Sequence, residues 1–407
     1  MNNITHVSDS LMCSTCGACA AVCPKDAIFF SMSSTGRMYA SVGDRCVDCG
    51  LCRRVCPSES VENTTVGQYN AGVVSGVFVG RSTNSRYYGN AQSGGVCTTL
   101  VDYLLKSGKI DGALMVRMKY GKTPVVEAFV ADRNTDLTQS QKSCYSPVPL
   151  LAALKQCKEK ESIAVVGLPC QMKAITAMQG LKKFGNVRYK IGLVCEGVLG
   201  MTAQDALISF SNPKMSDNQK IDWKRKTVPT TSGGGYLSAP TVIYNEVGEE
   251  QILANSYRFA LKRLLTNPRC KVCNDKLNLN ADIVLGDPWG MSAVDWVNGD
   301  SLIITRTETG NSLFDELISN GLITASPRDL SEVIRGQHIS DRLTSVEREL
   351  KTHEYLERYK QTESLPKDEV VGIARVHIVD AIRRKSRERS LPYRVARKIY
   401  SMIKKLR

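Results

Sequence analysis

The segments CSTCGACAAVCP, residues 13–24, and CVDCGLCRRVCP, residues 46–57, carry one pattern: C-x2-C-x2-C-x3-C-P. The spacing has a physical cause. Three closely set thiolates wrap three irons of a 4Fe–4S cubane, while the fourth, on the turn after the loop, faces the other cluster. This predicts crossed ligation. One cluster takes Cys13, Cys16, Cys19 and Cys56; the other takes Cys46, Cys49, Cys52 and Cys23. The alternative is a pair of structural zinc sites, but zinc rarely uses eight cysteines at this spacing with a proline after each set.

Gly17 and Gly50 sit inside the loops, where a missing Cβ lets backbone N–H groups approach cluster sulfur. Residues 27–30 and 38–42 read as short strands. Residues 1–66 therefore resemble a two-cluster ferredoxin domain, which carries electrons and has no substrate chemistry of its own.

The chain has 407 residues, 42% hydrophobic and 23% charged, so it can bury a core without cysteine staples. Its 15 cysteines need another reason. The first ten residues are polar, and no stretch approaches ~18 consecutive apolar residues. The expectation is a reducing, cytoplasmic setting with no membrane span.

Beyond a polar linker at 63–70, apolar runs alternate with helical patterns. Strands are expected at 73–79, 113–116, 125–131, 163–166, 191–195, 283–285 and 302–305. Helices are expected at 96–106, 149–158, 172–179, 203–210 and 312–319. The fold class is thus α+β: the small head, then a larger α/β domain with a mixed sheet at 67–369, then a basic helical tail at 370–407.

Four further cysteines stand in turn-like contexts. Cys170 lies in GLPCQ, Cys195 ends an apolar run in LVCEG, and Cys270 and Cys273 form RCKVC. Four thiolates suffice for a third cluster, but they come from three distant segments. A zinc site or buried free thiols fit the same residues.

The segments SGGVCTTL (93–100), GLPCQ (167–171), LVCEG (193–197) and RCKVCNDKLNLNADIVLGDPWG (269–290) occur in this order. With the head, they resemble the family of coenzyme F-420 (deazaflavin) hydrogenase/dehydrogenase beta subunits, which has relatives in plant hydroxymethyl-chlorophyll reductase and surface-polysaccharide gene clusters. The resemblance covers roughly residues 1–340. It implies a flavin, FAD or FMN, in the body, and a third 4Fe–4S cluster on Cys170, Cys195, Cys270 and Cys273. The turn Ser93-Gly94-Gly95 then reads as the flavin contact, since glycines opening a helix present free N–H groups; read alone, it is a turn and N-cap. The family further implies a redox partner protein and an organic substrate or deazaflavin coenzyme. Two departures stand out: Cys195-Glu196-Gly197 where many surface-polysaccharide-cluster relatives have Cys-His-Gly, and Cys144 where a lysine is common. Cys144, Cys97 and Cys157 read as core residues. His6, His338, His353 and His377 match no motif.

The formal charge is +14, and residues 375–407 hold twelve Lys and Arg against two acids, so +10 of it sits in the tail. Val395, Ile399, Ile403 and Leu406 make one apolar stripe at helical spacing. Such a helix either packs on a partner or lies on an anionic membrane surface. Nucleic acid is not an expected partner: the body fits no nucleic-acid module.

Overall fold

The computed structural model describes residues 2–59, 71–211, 215, 218–226 and 240–389. The head contains α1 (Thr5–Asp9), α2 (Ala18–Val22), the hairpin β1 (Ile28–Met32) and β2 (Met38–Val42), and α3 (Leu51–Arg54). Each cysteine loop runs into a short helix through a glycine at positive φ, Gly17 at 90° and Gly50 at 73°. A Cβ on Gly17 would stand 2.5 Å from the Pro149 carbonyl oxygen. That glycine is therefore needed for the left-handed turn and for close approach to the body.

The body is built on an eight-stranded mixed sheet, ordered β13-β3-β12-β11-β7-β6-β4-β5. Its strands are β3 (Gly76–Ser82), β4 (Gly112–Lys119), β5 (Val125–Ala131), β6 (Ile163–Gly167), β7 (Val187–Leu193), β11 (Ile283–Gly286), β12 (Ser301–Thr305) and β13 (Ile323–Pro327). Four consecutive strands, β11, β7, β6 and β4, run parallel. Alternation along the strands serves two faces. Ala113, Met115, Ala164, Ile283 and Ile303 pack on one face with Val96, Leu100 and Leu104 of α5 (Val96–Lys106) and Leu313 and Leu317 of α10 (Glu308–Ser319). Leu114, Val165, Val284 and Ile304 pack on the other with Met172 and Ile175 of α6 (Pro169–Gly180). Ala18, Ala21, Val22 and Val55 of the head join this second face, so head and body share one core.

The expected helix at 149–158 is a 3-10 helix, Leu150–Cys157, whose Leu151 N–H donates to the Cys16 carbonyl at 2.9 Å. The strand expected at 191–195 runs instead over Val187–Leu193, and Cys195 lies two residues past its end. Its first half alternates Arg188 and Lys190 with Val187 and Tyr189, so no apolar run marks it.

Residues 219–253 add a three-stranded antiparallel sheet that no continuous apolar run marks: β8 (Gln219–Asp222), β9 (Thr241–Asn245) and β10 (Glu250–Leu253). It packs with α7 (Thr202–Ile208), α8 (Asn255–Leu265) and the long α14 (Lys367–Arg389). The boundary expected at residue 370 falls inside α14, whose Val370, Ala374 and Ile378 are fully buried in this cluster. The apolar stripe from Val395 to Leu406 lies outside the described residues. Short α4 (Ser85–Asn90) precedes α5, α9 (Pro268–Lys271) precedes β11, and α11 (Leu330–Gly336), α12 (Ile339–Thr352) and α13 (Glu354–Glu363) follow β13. Among the described residues no helix is long and apolar enough to cross a membrane.

Candidate metal centres

The first head set is Cys13, Cys16, Cys19 and Cys56. The charges of Cys16, Cys13 and Cys56 all act on Cys19, and those of Cys16 and Cys13 act on Cys56. Cys56 of the second motif thus stands with the three leading cysteines of the first, as crossed ligation requires. Burial, reinforced by the neighbouring Cys13, pushes the Cys16 thiol up to about 11, and Cys19 and Cys56 also rise. Such sulfurs become thiolates only beside strong positive charge, which iron provides.

The second set lines one small cavity: Cys23, Cys46, Cys49 and Cys52, closed by Pro24 and Leu51. The Ala27 N–H donates to Cys23 Sγ at 3.3 Å, and Asn3 Nδ2 lies 3.9 Å from Cys46 Sγ. Donors on cluster sulfur tune its potential. Cys49 is exposed, so this set lies nearest the surface.

The body set is assembled at the C-terminal edge of the parallel strands. Cys170 starts α6 after β6, Cys195 follows β7, and Cys270 and Cys273 come from α9 and the turn beyond it. The charges of Cys195, Cys270 and Cys273 all act on Cys170, and that of Cys16 acts on it more strongly still. The structure therefore brings the three segments together and sets the first head set beside them. Among the described residues no three His, Cys, Asp or Glu stand close enough for a single metal ion.

The Gly197 N–H donates to Cys195 Sγ at 3.3 Å. Arg342 Nε donates to the Cys273 carbonyl at 3.0 Å, and its Nη2 to the Cys270 carbonyl. Glu196 accepts from Lys276 at 2.7 Å and Lys262 at 3.0 Å. Burial opposes its ionisation, but the two lysines outweigh that and hold its carboxyl well below the usual range.

At the same sheet edge the Ser93-Gly94-Gly95 turn opens α5. A Cβ on Gly94 would stand 2.7 Å from the Gly80 oxygen, and one on Gly95, at φ +74°, 2.8 Å from Tyr87 and Tyr88 backbone atoms. The Gly94 N–H already donates to Ser301 Oγ at 2.9 Å, so it is not free for a ligand. Packing alone accounts for both glycines. Beside the turn lies a polar group that spacing does not reveal. Asp287 accepts from Lys224 and, at 3.2 Å, from Gln92 Nε2; Lys224 Nζ also sits 4.0 Å from the Trp289 ring centroid. Lys226 Nζ donates to the carbonyls of Tyr88, Ser93 and Asn298 at 2.6, 3.1 and 2.6 Å. Burial, then the nearby Arg81, lowers its ammonium to about 8. Asp287 sits in the quoted GDPWG segment, the one sequence signal for this group.

Cys144 and Cys97 have thiols that burial pushes up to about 12, and both pack in hydrophobic clusters; Cys157 is fully buried. Cys157 is a core residue, whereas Cys97 and Cys144 are half-buried against the edges of their clusters.

Residues 12–60 match the 4Fe-4S dicluster domain. Residues 77–155 match the N-terminal part, and residues 160–330 the C terminus, of the coenzyme F420 hydrogenase/dehydrogenase beta subunit. The coenzyme F420-dependent sulfite reductase of Methanocaldococcus jannaschii is 27% identical over 88% of this chain, which spans only 53% of that protein's length. The coenzyme F420 hydrogenase subunit beta of Methanosarcina barkeri is 25% identical over 67% of this chain and 89% of its own. A chain of the F420-reducing NiFe hydrogenase complex from Methanosarcina barkeri has the same fold, with TM-score 0.52 and 20% identity over 68% of this chain and 91% of that one. With both halves of one family in order behind a dicluster head, this chain belongs to the family of coenzyme F420 hydrogenase/dehydrogenase beta subunits.

Proposed function

We propose that this protein is an iron–sulfur flavoprotein oxidoreductase that exchanges electrons with a redox partner through its head and reduces or oxidises an organic substrate, or a deazaflavin coenzyme, in its body. The observation that carries the reading is the order of the cysteine sets. Cys49 is exposed, its set lines the outer cavity, the first set is the more buried, and Cys16 neighbours Cys170 of the body set. The chain thus lays out thiolate sites from its surface to the sheet edge.

The head cysteines would hold two clusters and Cys170, Cys195, Cys270 and Cys273 a third. Ser93, the start of α5 and the Lys224–Asp287–Trp289 group would border a flavin. Bound clusters supply one-electron steps, and a bound flavin converts pairs of these to hydride chemistry. The protein's own part is positional. Gly197 donates to the Cys195 sulfur, Arg342 holds the Cys273 and Cys270 carbonyls, Lys224 pairs with Asp287 beside Trp289, and Lys226 ties the Ser93 turn to residue 298.

Full-length protein purified anaerobically should contain about twelve irons, four per cubane, and one flavin. A preparation with full iron and no flavin, active only with a tightly bound partner, would instead make it an electron-relay subunit.

A further inference from the structure

A cleft of about 540 Å³, lined in part by Lys271, Lys276 and Arg342, opens beside Cys270 and Cys273, within the size range of small-molecule sites. We propose that it binds a small, multiply charged anion bearing phosphate or carboxylate groups. The inference is independent of the flavin reading.

Seven Lys and Arg side chains line the cleft against four carboxylates. The carboxylates do not neutralise the cations evenly. Glu196 takes up Lys262 and Lys276, and Glu349 accepts the N–H groups of Tyr355 at 3.1 Å and Leu356 at 2.9 Å. Arg342 is held by the Cys270 and Cys273 carbonyls. Among the described residues Arg263, Lys271, Arg348 and Arg358 form no ion pair. Like charges gathered in one concavity repel unless a counter-charge enters it. Guanidinium forks suit phosphate and carboxylate oxygens, which they can bind bidentately.

The cations are also held in place. Tyr355 is buried, and its hydroxyl donates to the Thr266 carbonyl at 2.6 Å. Lys271 Nζ lies 4.5 Å and the Arg358 guanidinium 5.9 Å from the ring centroid. One aromatic side chain thus orients a cation from α9 and one from α13. A walled concavity favours a small molecule over an acidic protein, whose docking needs ~800 Å² of fitted surface per partner. More than half of the wall, from His338 to Arg358, lies beyond the family match at 160–330, so it is not part of the matched domain.

The test is calorimetric titration of the full-length, cluster-loaded protein with inorganic tripolyphosphate and, separately, with citrate, at fixed ionic strength. An Arg348→Ala/Arg358→Ala variant should weaken binding by about tenfold or more, with iron content unchanged. A Lys122→Ala/Arg133→Ala control, which removes the same charge at exposed positions outside the cleft, should bind as the parent does. Tighter tripolyphosphate assigns the site to phosphate, tighter citrate to carboxylate. Absence of binding by both anions, or equal losses in the cleft variant and the control, overturns the proposal.

Discussion

Cys23 sits four residues beyond Cys19 in the chain, yet it lines the cavity of Cys46, Cys49 and Cys52. Cys23→Ser should therefore damage the second-motif cluster and spare the other. Spectroscopy of the reduced protein separates the two, and selective loss of the first-motif cluster would refute crossed ligation. The head was legible because its ligands are local: twelve-residue runs fix which sulfur faces which iron. The body set was legible only as four candidates, since three distant segments meet through strand order. Lys224, Lys226 and Arg342 left no trace in spacing, because their roles depend on carbonyls and carboxylates that only the fold brings near. The Ser93 turn shows the converse. Its glycines read as a ligand cradle from the sequence, and the close backbone of Gly80, Tyr87 and Tyr88 requires glycine there whether or not a ligand binds.

Among the elements, α14 departs most from its sequence reading. Its charge drew attention to the chain end, while Val370, Ala374 and Ile378, four residues apart, marked a buried stripe. Ile378→Ala should destabilise the protein by about 2–4 kcal/mol, the usual range for a fully buried aliphatic side chain. Val376→Ala, at 59% exposure, should change stability by less than about 0.5 kcal/mol. Chemical denaturation followed by tryptophan fluorescence distinguishes them, and equal effects would mean that α14 is not packed as seen. The sheet strands, by contrast, were read where they carried a continuous apolar run; β8 to β10, β13 and the charged half of β7 were missed, because polar residues interrupt them, and in β8 and β9 several of these, Gln219, Asp222, Thr241 and Asn245, are buried.

At the scale of the whole molecule, the head is clamped to the body at two places. Leu151 and Asn267 donate to the carbonyls of Cys16 and Cys13, at 2.9 and 3.1 Å. On the hairpin side, Arg37 forms a two-point pair with Glu363 of α13, at 2.9 and 3.1 Å, and Thr35 meets the Tyr359 hydroxyl at 2.8 Å. Arg37 and Glu363 are 5% and 15% exposed, so Glu363→Ala leaves a buried guanidinium unpaired and should cost roughly 3 kcal/mol or more. Limited proteolysis should release the head sooner in that variant. We further propose that the basic residues 390–407 draw the protein to anionic membrane surfaces. The full chain should co-sediment with anionic vesicles at low salt and not at 1 M, where screening falls to ~3 Å; equal partitioning on neutral vesicles would refute this.

The account turns on a third cluster linking head to body. Its most direct measurement is the iron content of a Cys270→Ser/Cys273→Ser variant beside the parent, both purified anaerobically. The account predicts a fall from about twelve irons to about eight, with the head signals intact; an unchanged iron content would contradict it.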